Sequence, residues 1–207
     1  MLRVLGRNNS INVRKVLWLC DEIGQDYERE DWGQGYRSTD DPAFLALNPN
    51  GRIPVIIDDD LVLWESNVIL RYLAAKAARA DLLPAAPADR AGVELWMDWE
   101  ASDLAAAWRY AFQALVRRNP AYGNPKQVEA SRLAWTAKIA LLEAQLEATG
   151  AYVAGTAFTL ADIPIGLAVN RWFMTPIERP SYSAVAAYYD RLNQQLAFRR
   201  HGRNGVP

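Results

Sequence analysis

The sequence predicts an α/β domain followed by an all-α helical bundle, and three features carry that prediction. Short apolar runs alternate with a helical stretch through roughly the first 78 residues and end in a hairpin pattern. An Ala/Pro segment, Ala85-Ala86-Pro87-Ala88, then interrupts the chain. Beyond it strand signals disappear and long helical periods take over. The two domains are accordingly expected over residues 1–80 and 88–207.

Leu2 to Leu5 is an apolar run bounded by Gly6 and the polar cluster Asn8-Asn9-Ser10, as expected of a buried strand leaving through a loop. From Ser10 onward Val13, Val16, Leu17, Cys20 and Ile23 recur at helical spacing, and Gly24 falls where a helix C-cap belongs. Tyr27 to Asp31 reads as a second strand, residues 32–41 as a loop, and Pro42 to Leu47 as a short helix. Ile53 to Ile57 and Leu61 to Trp64 flank the acidic turn Asp58-Asp59-Asp60 and predict an antiparallel hairpin. A helix follows with Val68, Ile69, Tyr72 and Leu73 on one face. This order, a crossover unit closed by a hairpin and a helix, is the thioredoxin-like arrangement. In the second half, Trp96, Trp99, Trp108, Phe112 and Leu115 mark one long helical face, and Trp135, Ile139, Leu142 and Leu146 another that stops at Gly150.

Composition excludes several classes of function. An apolar share of 51% with 23% charged residues supports a substantial core. Lys plus Arg (23) nearly cancels Asp plus Glu (24), so no global positive field draws in nucleic acid or an anionic membrane. A single cysteine and a single histidine leave no ligand set for a zinc site or disulfide framework, and a reducing cytoplasm is the expected setting. No apolar run reaches the roughly 18 residues of a membrane span. Cys20, on the apolar face of the first helix, reads as a small buried hydrophobe. His201 lies in the basic stretch Arg199-Arg200-His201-Gly202-Arg203 and reads as part of a solvated tail.

Four short motifs remain. Ser10 is either an N-cap, whose hydroxyl accepts a backbone N–H, or a donor to an anion at the helix N-terminus. Ile53-Pro54 begins a strand and is trans by local preference. Glu65-Ser66 has the composition of a helix cap. Thr159-x-x-Asp162 fits a capping box with Phe158 and Ile163 as a hydrophobic staple, a structural feature worth about 1 kcal/mol.

Taken in order, Asn9-Ser10-Ile11-Asn12-Val13-Arg14-Lys15-Val16, Asn48-Pro49-Asn50-Gly51-Arg52-Ile53-Pro54-Val55, Trp64-Glu65-Ser66-Asn67-Val68-Ile69 and Phe158-Thr159-Leu160-Ala161-Asp162-Ile163 resemble the glutathione transferase family. The resemblance implies glutathione as co-substrate, no metal, and Ser10 and Asn12 as the groups that activate its thiol. It implies a cis Ile53-Pro54 bond, with the Ile53 backbone pairing with the cysteinyl unit of glutathione and Arg52 beside it. Glu65 would meet the γ-glutamyl ammonium and Ser66 its α-carboxylate. It also implies a homodimer, in which Asp103, one of the acids Asp98, Glu100 and Asp103, reaches the partner's glutathione. Arg109 and Trp172 would line the pocket for an apolar electrophile. Conjugation serving detoxification is the activity so implied; glutathione-dependent disulfide or peroxide reduction and a non-catalytic binding role are the alternatives.

Overall fold

A computed structural model describes all residues, 1–207. Strands Leu2–Leu5 (β1), Tyr27–Glu30 (β2), Val55–Asp58 (β3) and Leu61–Trp64 (β4) form one sheet in the order β2-β1-β3-β4. β1 runs parallel to β2 and antiparallel to β3, and β3 pairs antiparallel with β4 through the predicted hairpin. Three helices belong to this half: Ile11–Ile23 (α1), Pro42–Leu45 (α2) and Ser66–Lys76 (α3). The thioredoxin-like order expected from the sequence is present, and α1 ends at Gly24 in the left-handed conformation that a C-cap requires.

Strand alternation divides the sheet between two cores. Leu2, Val4 and Ile56 face the principal core of 41 buried residues, whereas Leu5 and Val55 face a small one with Trp32 and Phe44 under α2. The principal core runs without a break into the second half of the chain, so α1 is covered on both sides. That half consists of Pro87–Trp99 (α4), Ala105–Leu115 (α5), Pro125–Thr149 (α6), Asp162–Met174 (α7), Ser183–Leu192 (α8) and Leu196–His201 (α9). Trp135, Ile139, Leu142 and Leu146 form the buried stripe of α6, which ends at left-handed Gly150 as expected. Gly166 brings α7 close to its neighbours: a Cβ there would lie 2.6 Å from Leu192 Cδ1 and 3.1 Å from Trp18 Cη2.

Four expectations are corrected. Val68 is 45% exposed, because α3 packs through Ile69, Leu70, Leu73 and Ala74 and buries Asn67, whose Nδ2 donates to the Met97 carbonyl at 2.8 Å. Glu100 is no surface acid. A π-helical turn, Glu100–Leu104, joins α4 to α5, and within it Glu100 points inward to Lys15 Nζ at 2.6 Å, both side chains buried. His201 is buried rather than solvated: α9 docks on α1, and the imidazole Nε2 meets Asp21 Oδ2 at 2.7 Å. The capping box forms by its acidic half only, since the Thr159 N–H and hydroxyl both donate to Asp162 Oδ2 and α7 begins at Asp162 itself. Cys20 is buried as expected, and burial pushes its thiol up to about 12.

Candidate functional site

The sheet register assembles the site. Leu5 lies beside Val55, and Val55 beside Trp64, so the end of β1, the start of β3 and the end of β4 share one edge. The residues just beyond that edge are the β1–α1 loop with Ser10, the Ile53-Pro54 turn, and Glu65-Ser66 at the start of α3. Segments far apart in sequence therefore converge because strand pairing leaves them no other place. Gly6 permits the closest approach: its φ is +150°, and a Cβ would lie 2.5 Å from Val13 Cγ2 and 3.1 Å from Ile53 Cβ.

The polar groups at this edge are uncommitted. Ser10 occupies the N-cap of α1 with extended backbone, but its hydroxyl makes no capping bond, so the capping reading of that side chain does not hold. Its carbonyl closes the first turn onto Arg14 N–H at 2.9 Å. Asn12 lies one residue into α1 with its side chain exposed. The Ile53-Pro54 bond is cis. Neither the N–H nor the C=O of Ile53 enters any hydrogen bond of the chain. Asn48 braces this turn, donating from Nδ2 to the Arg52 carbonyl at 2.7 Å, while the Arg52 side chain extends into solvent.

Glu65 has φ +69°, a left-handed conformation that a non-glycine residue adopts at a cost of order 1–3 kcal/mol. Its carboxylate is exposed and has no cationic partner, and the hydroxyl of the adjacent Ser66 makes no capping bond to the helix. Ile69 N–H closes the first turn of α3 onto the Glu65 carbonyl at 3.0 Å, which leaves the amides ahead of it free for an anion. One edge thus offers an acid, two hydroxyls, two helix N-termini and one open backbone pair. That set matches a small zwitterionic peptide, paired as an added strand and held at its charged end.

The remaining expected residues lie elsewhere. Asp103 is exposed on the π turn and pairs with Lys138 of the same chain at 2.6 Å. Asp98 pairs with Arg71 at 2.6 Å. Arg109 is exposed on α5. Trp172 is 1% exposed, with its ring edge-on to Trp135 at 5.1 Å, so it belongs to the core and lines no open pocket. The sequence reading overlooked Arg14, Lys15 and Arg171, three buried cations on otherwise apolar helices. Charges inside long apolar runs were the available signal. No group of three or more His, Cys, Asp or Glu side chains is placed to hold a metal ion, and no helix is long and apolar enough to cross a membrane.

The chain is similar to known proteins over nearly its whole length. Residues 2–75 match the family model for the glutathione S-transferase N-terminal domain. Glutathione S-transferase GstB of Escherichia coli K12 is 37% identical over 97% of both chains. The theta class glutathione S-transferase of Xanthomonas axonopodis pv. citri, solved with glutathione bound, superposes with a TM-score of 0.90 at 41% identity, covering 97% of this chain and 96% of that one. The disulfide-bond oxidoreductase YfcG of E. coli K12 is 28% identical over 90% of this chain and 87% of its own.

Proposed function

The chain belongs to the glutathione S-transferase family, and from that premise we propose that it joins the glutathione thiol to apolar electrophiles, with residues 1–80 holding glutathione and 88–207 the electrophile. The observation that carries this reading is the set of idle polar groups at one sheet edge: the Ser10 hydroxyl, the Ile53 backbone pair, and Glu65 with Ser66. These groups are already held at one edge with no partner in the chain to release, so a bound peptide gains their hydrogen bonds at little cost in reorganisation.

Glutathione pairs its cysteinyl backbone with Ile53 beside Arg52 and Pro54, its ammonium with Glu65, and its α-carboxylate with Ser66 at the α3 N-terminus. Its sulfur then lies at the start of α1, where the Ser10 hydroxyl donates to the thiolate and Asn12 supplies a second donor. A free thiol with a pKa of about 8.5 is mostly protonated at neutral pH. One charge-assisted hydrogen bond of roughly 1.5–3 kcal/mol, with the helix N-terminus, lowers that pKa by one to two units. The thiolate attacks the electrophilic carbon and the leaving group departs with its bonding pair. Ser10→Ala is expected to raise the pH at which the thiolate ultraviolet absorbance of the complex appears, and to cut turnover more at pH 7 than at pH 9. If only Asn12→Ala moves the titration, the leading role passes to Asn12.

Disulfide reduction is the second reading, favoured by the relative named for that activity. The bound thiolate serves both, and parallel turnover of an activated aryl halide and a small disulfide separates them. We assign the dimer to the apolar surface of Leu61, Trp64, Val68 and Leu95, all exposed on β4, α3 and α4. Light scattering that finds a monomer at micromolar concentration removes the dimer. Unchanged glutathione affinity in Asp103→Ala removes the cross-subunit contact. Arg109, exposed on α5, stays assigned to the electrophile pocket.

A further inference from the structure

Beside the β1–α1 loop, Arg117 and Arg171 of the helical half gather with Arg7 and Arg14 of the first half around one acid, Glu100. Arg171, on the buried face of α7, is 2% exposed, and its Nε has no acceptor. Its guanidinium carbon lies 3.8 Å from the Phe112 ring centroid and 4.3 Å from that of Trp108. Arg117, just past α5, faces the same Phe112 ring at 5.4 Å and donates to the Asn9 carbonyl at 3.3 Å, one residue before Ser10.

These cations act on one another. Burial first, then Arg14 and Arg117, push the Arg171 guanidinium well below its ordinary pKa, and burial followed by Arg7 lowers that of Arg117. The carboxylate that offsets Arg171 is Glu100, already engaged by Lys15 at 2.6 Å. Arg14 is also engaged, donating to the carbonyls of Val206 and Pro207 at 2.8 and 2.9 Å, so it adds field rather than a free contact. The buried Nε atoms of Arg7, Arg14 and Arg171 and the Trp108 indole N–H all lack acceptors. A donor-rich, acceptor-poor cluster is complementary to an anionic group, and Arg117 is its partly exposed member beside the β1–α1 loop.

We infer that Arg117, backed by the buried charge of Arg171, forms an anion subsite beside Ser10, so that the electrophile taken by this protein carries a carboxylate on an aromatic or aliphatic frame. The inference rests on the conjugation reading above. In the reaction the glutathione sulfur forms a bond to the carbon bearing the leaving group, which leaves with its electron pair, the thiol proton having already passed to solvent.

The probes are 4-chloro-3-nitrobenzoate and its neutral amide, each with glutathione, and the quantity read is the ratio of their kcat/KM values after division by the uncatalysed rates. The carboxylate is expected to be favoured by about tenfold or more, and Arg117→Gln to shrink that ratio by about tenfold. Arg171→Met is expected to do the same, and Arg117→Gln, at a partly exposed position, keeps the test open if the buried variant does not fold. A wild-type ratio near one, or a ratio unmoved by Arg117→Gln, overturns the inference. So does a rise in the glutathione KM of Arg117→Gln at constant ratio, which assigns the arginines to a carboxylate of glutathione itself. Failure of the amide to react, with no glutathione bound, strikes instead at the conjugation reading. Tryptophan quenching by unreactive 3-nitrobenzoate and 3-nitrobenzamide then decides the subsite: no preference for the carboxylate overturns it.

Discussion

Helices α3 and α7 both begin at an acid paired with a hydroxyl residue, Glu65 with Ser66 and Asp162 with Thr159. At α7 every bond is internal. Asp162 is fully buried and accepts from the N–H groups of Val153 and Thr159, the Thr159 hydroxyl and the Tyr188 hydroxyl at 2.8–3.2 Å. At α3 the acid is exposed in a left-handed conformation, and its neighbouring hydroxyl caps nothing. Similar residues at similar positions thus bond within the chain in one place and stand without partners in the other. What separates them is how far their hydrogen bonds are satisfied within the chain.

The largest effect expected from this contrast is on stability. Asp162→Ala strands four donors in the core and should lower the unfolding free energy by about 3–5 kcal/mol, well beyond the single cap that the local pattern suggests. Urea denaturation showing a loss near 1 kcal/mol would return Asp162 to an ordinary cap and erase the contrast.

The same carboxyl sets a pH dependence. Burial raises its folded-state pKa to about 6 against the opposing pull of its four donors. Because the folded value lies above the ordinary 3.8, the stabilising contribution is complete below about pH 4 and is lost as pH rises through about 6. The change amounts to about 3 kcal/mol. Asp162→Asn cannot titrate, so the stability difference between wild type and variant should drift against the wild type between pH 4.5 and 7. A constant difference would mean that the four donors cancel the desolvation.

Glu65→Ala should do the reverse of Asp162→Ala. Glutathione affinity is expected to fall by about ten- to a hundredfold, the range of one hydrogen bond to a charged group, while the unfolding midpoint stays in place. Calorimetric titration with less than a twofold change would remove the acid from the binding set. A drop in stability as large as that of Asp162→Ala would show the two helix starts to be equivalent.

The elements were legible wherever one local signal dominated. The α1 stripe with Gly24, the hairpin around Asp58-Asp59-Asp60 and the α6 stripe ending at Gly150 each combine an apolar period with a stop, and each forms as expected. Burial was less legible. Trp172 has the composition of a pocket wall and Glu100 that of a surface acid, yet both are inside, because the helices packed on them decide what they face. His201 looked like tail until α9 docked it on Asp21 of α1. The candidate site was legible by residue type at Ser10, Pro54, Glu65 and Ser66, through motif order rather than through any property of each residue alone.

By itself, then, the sequence determined the order and kind of the elements, since helical and strand periods and their glycine stops act over a few neighbouring residues. Only the tertiary structure decided which polar groups remain idle. The Ser10 hydroxyl, the Ile53 backbone and the Glu65 carboxylate find no partner within the chain, while Asp162, Glu100 and His201 do. Whether a donor or acceptor finds a partner depends on residues far away in the chain, as Lys15 and Glu100, 85 positions apart, illustrate, and no local pattern encodes that meeting.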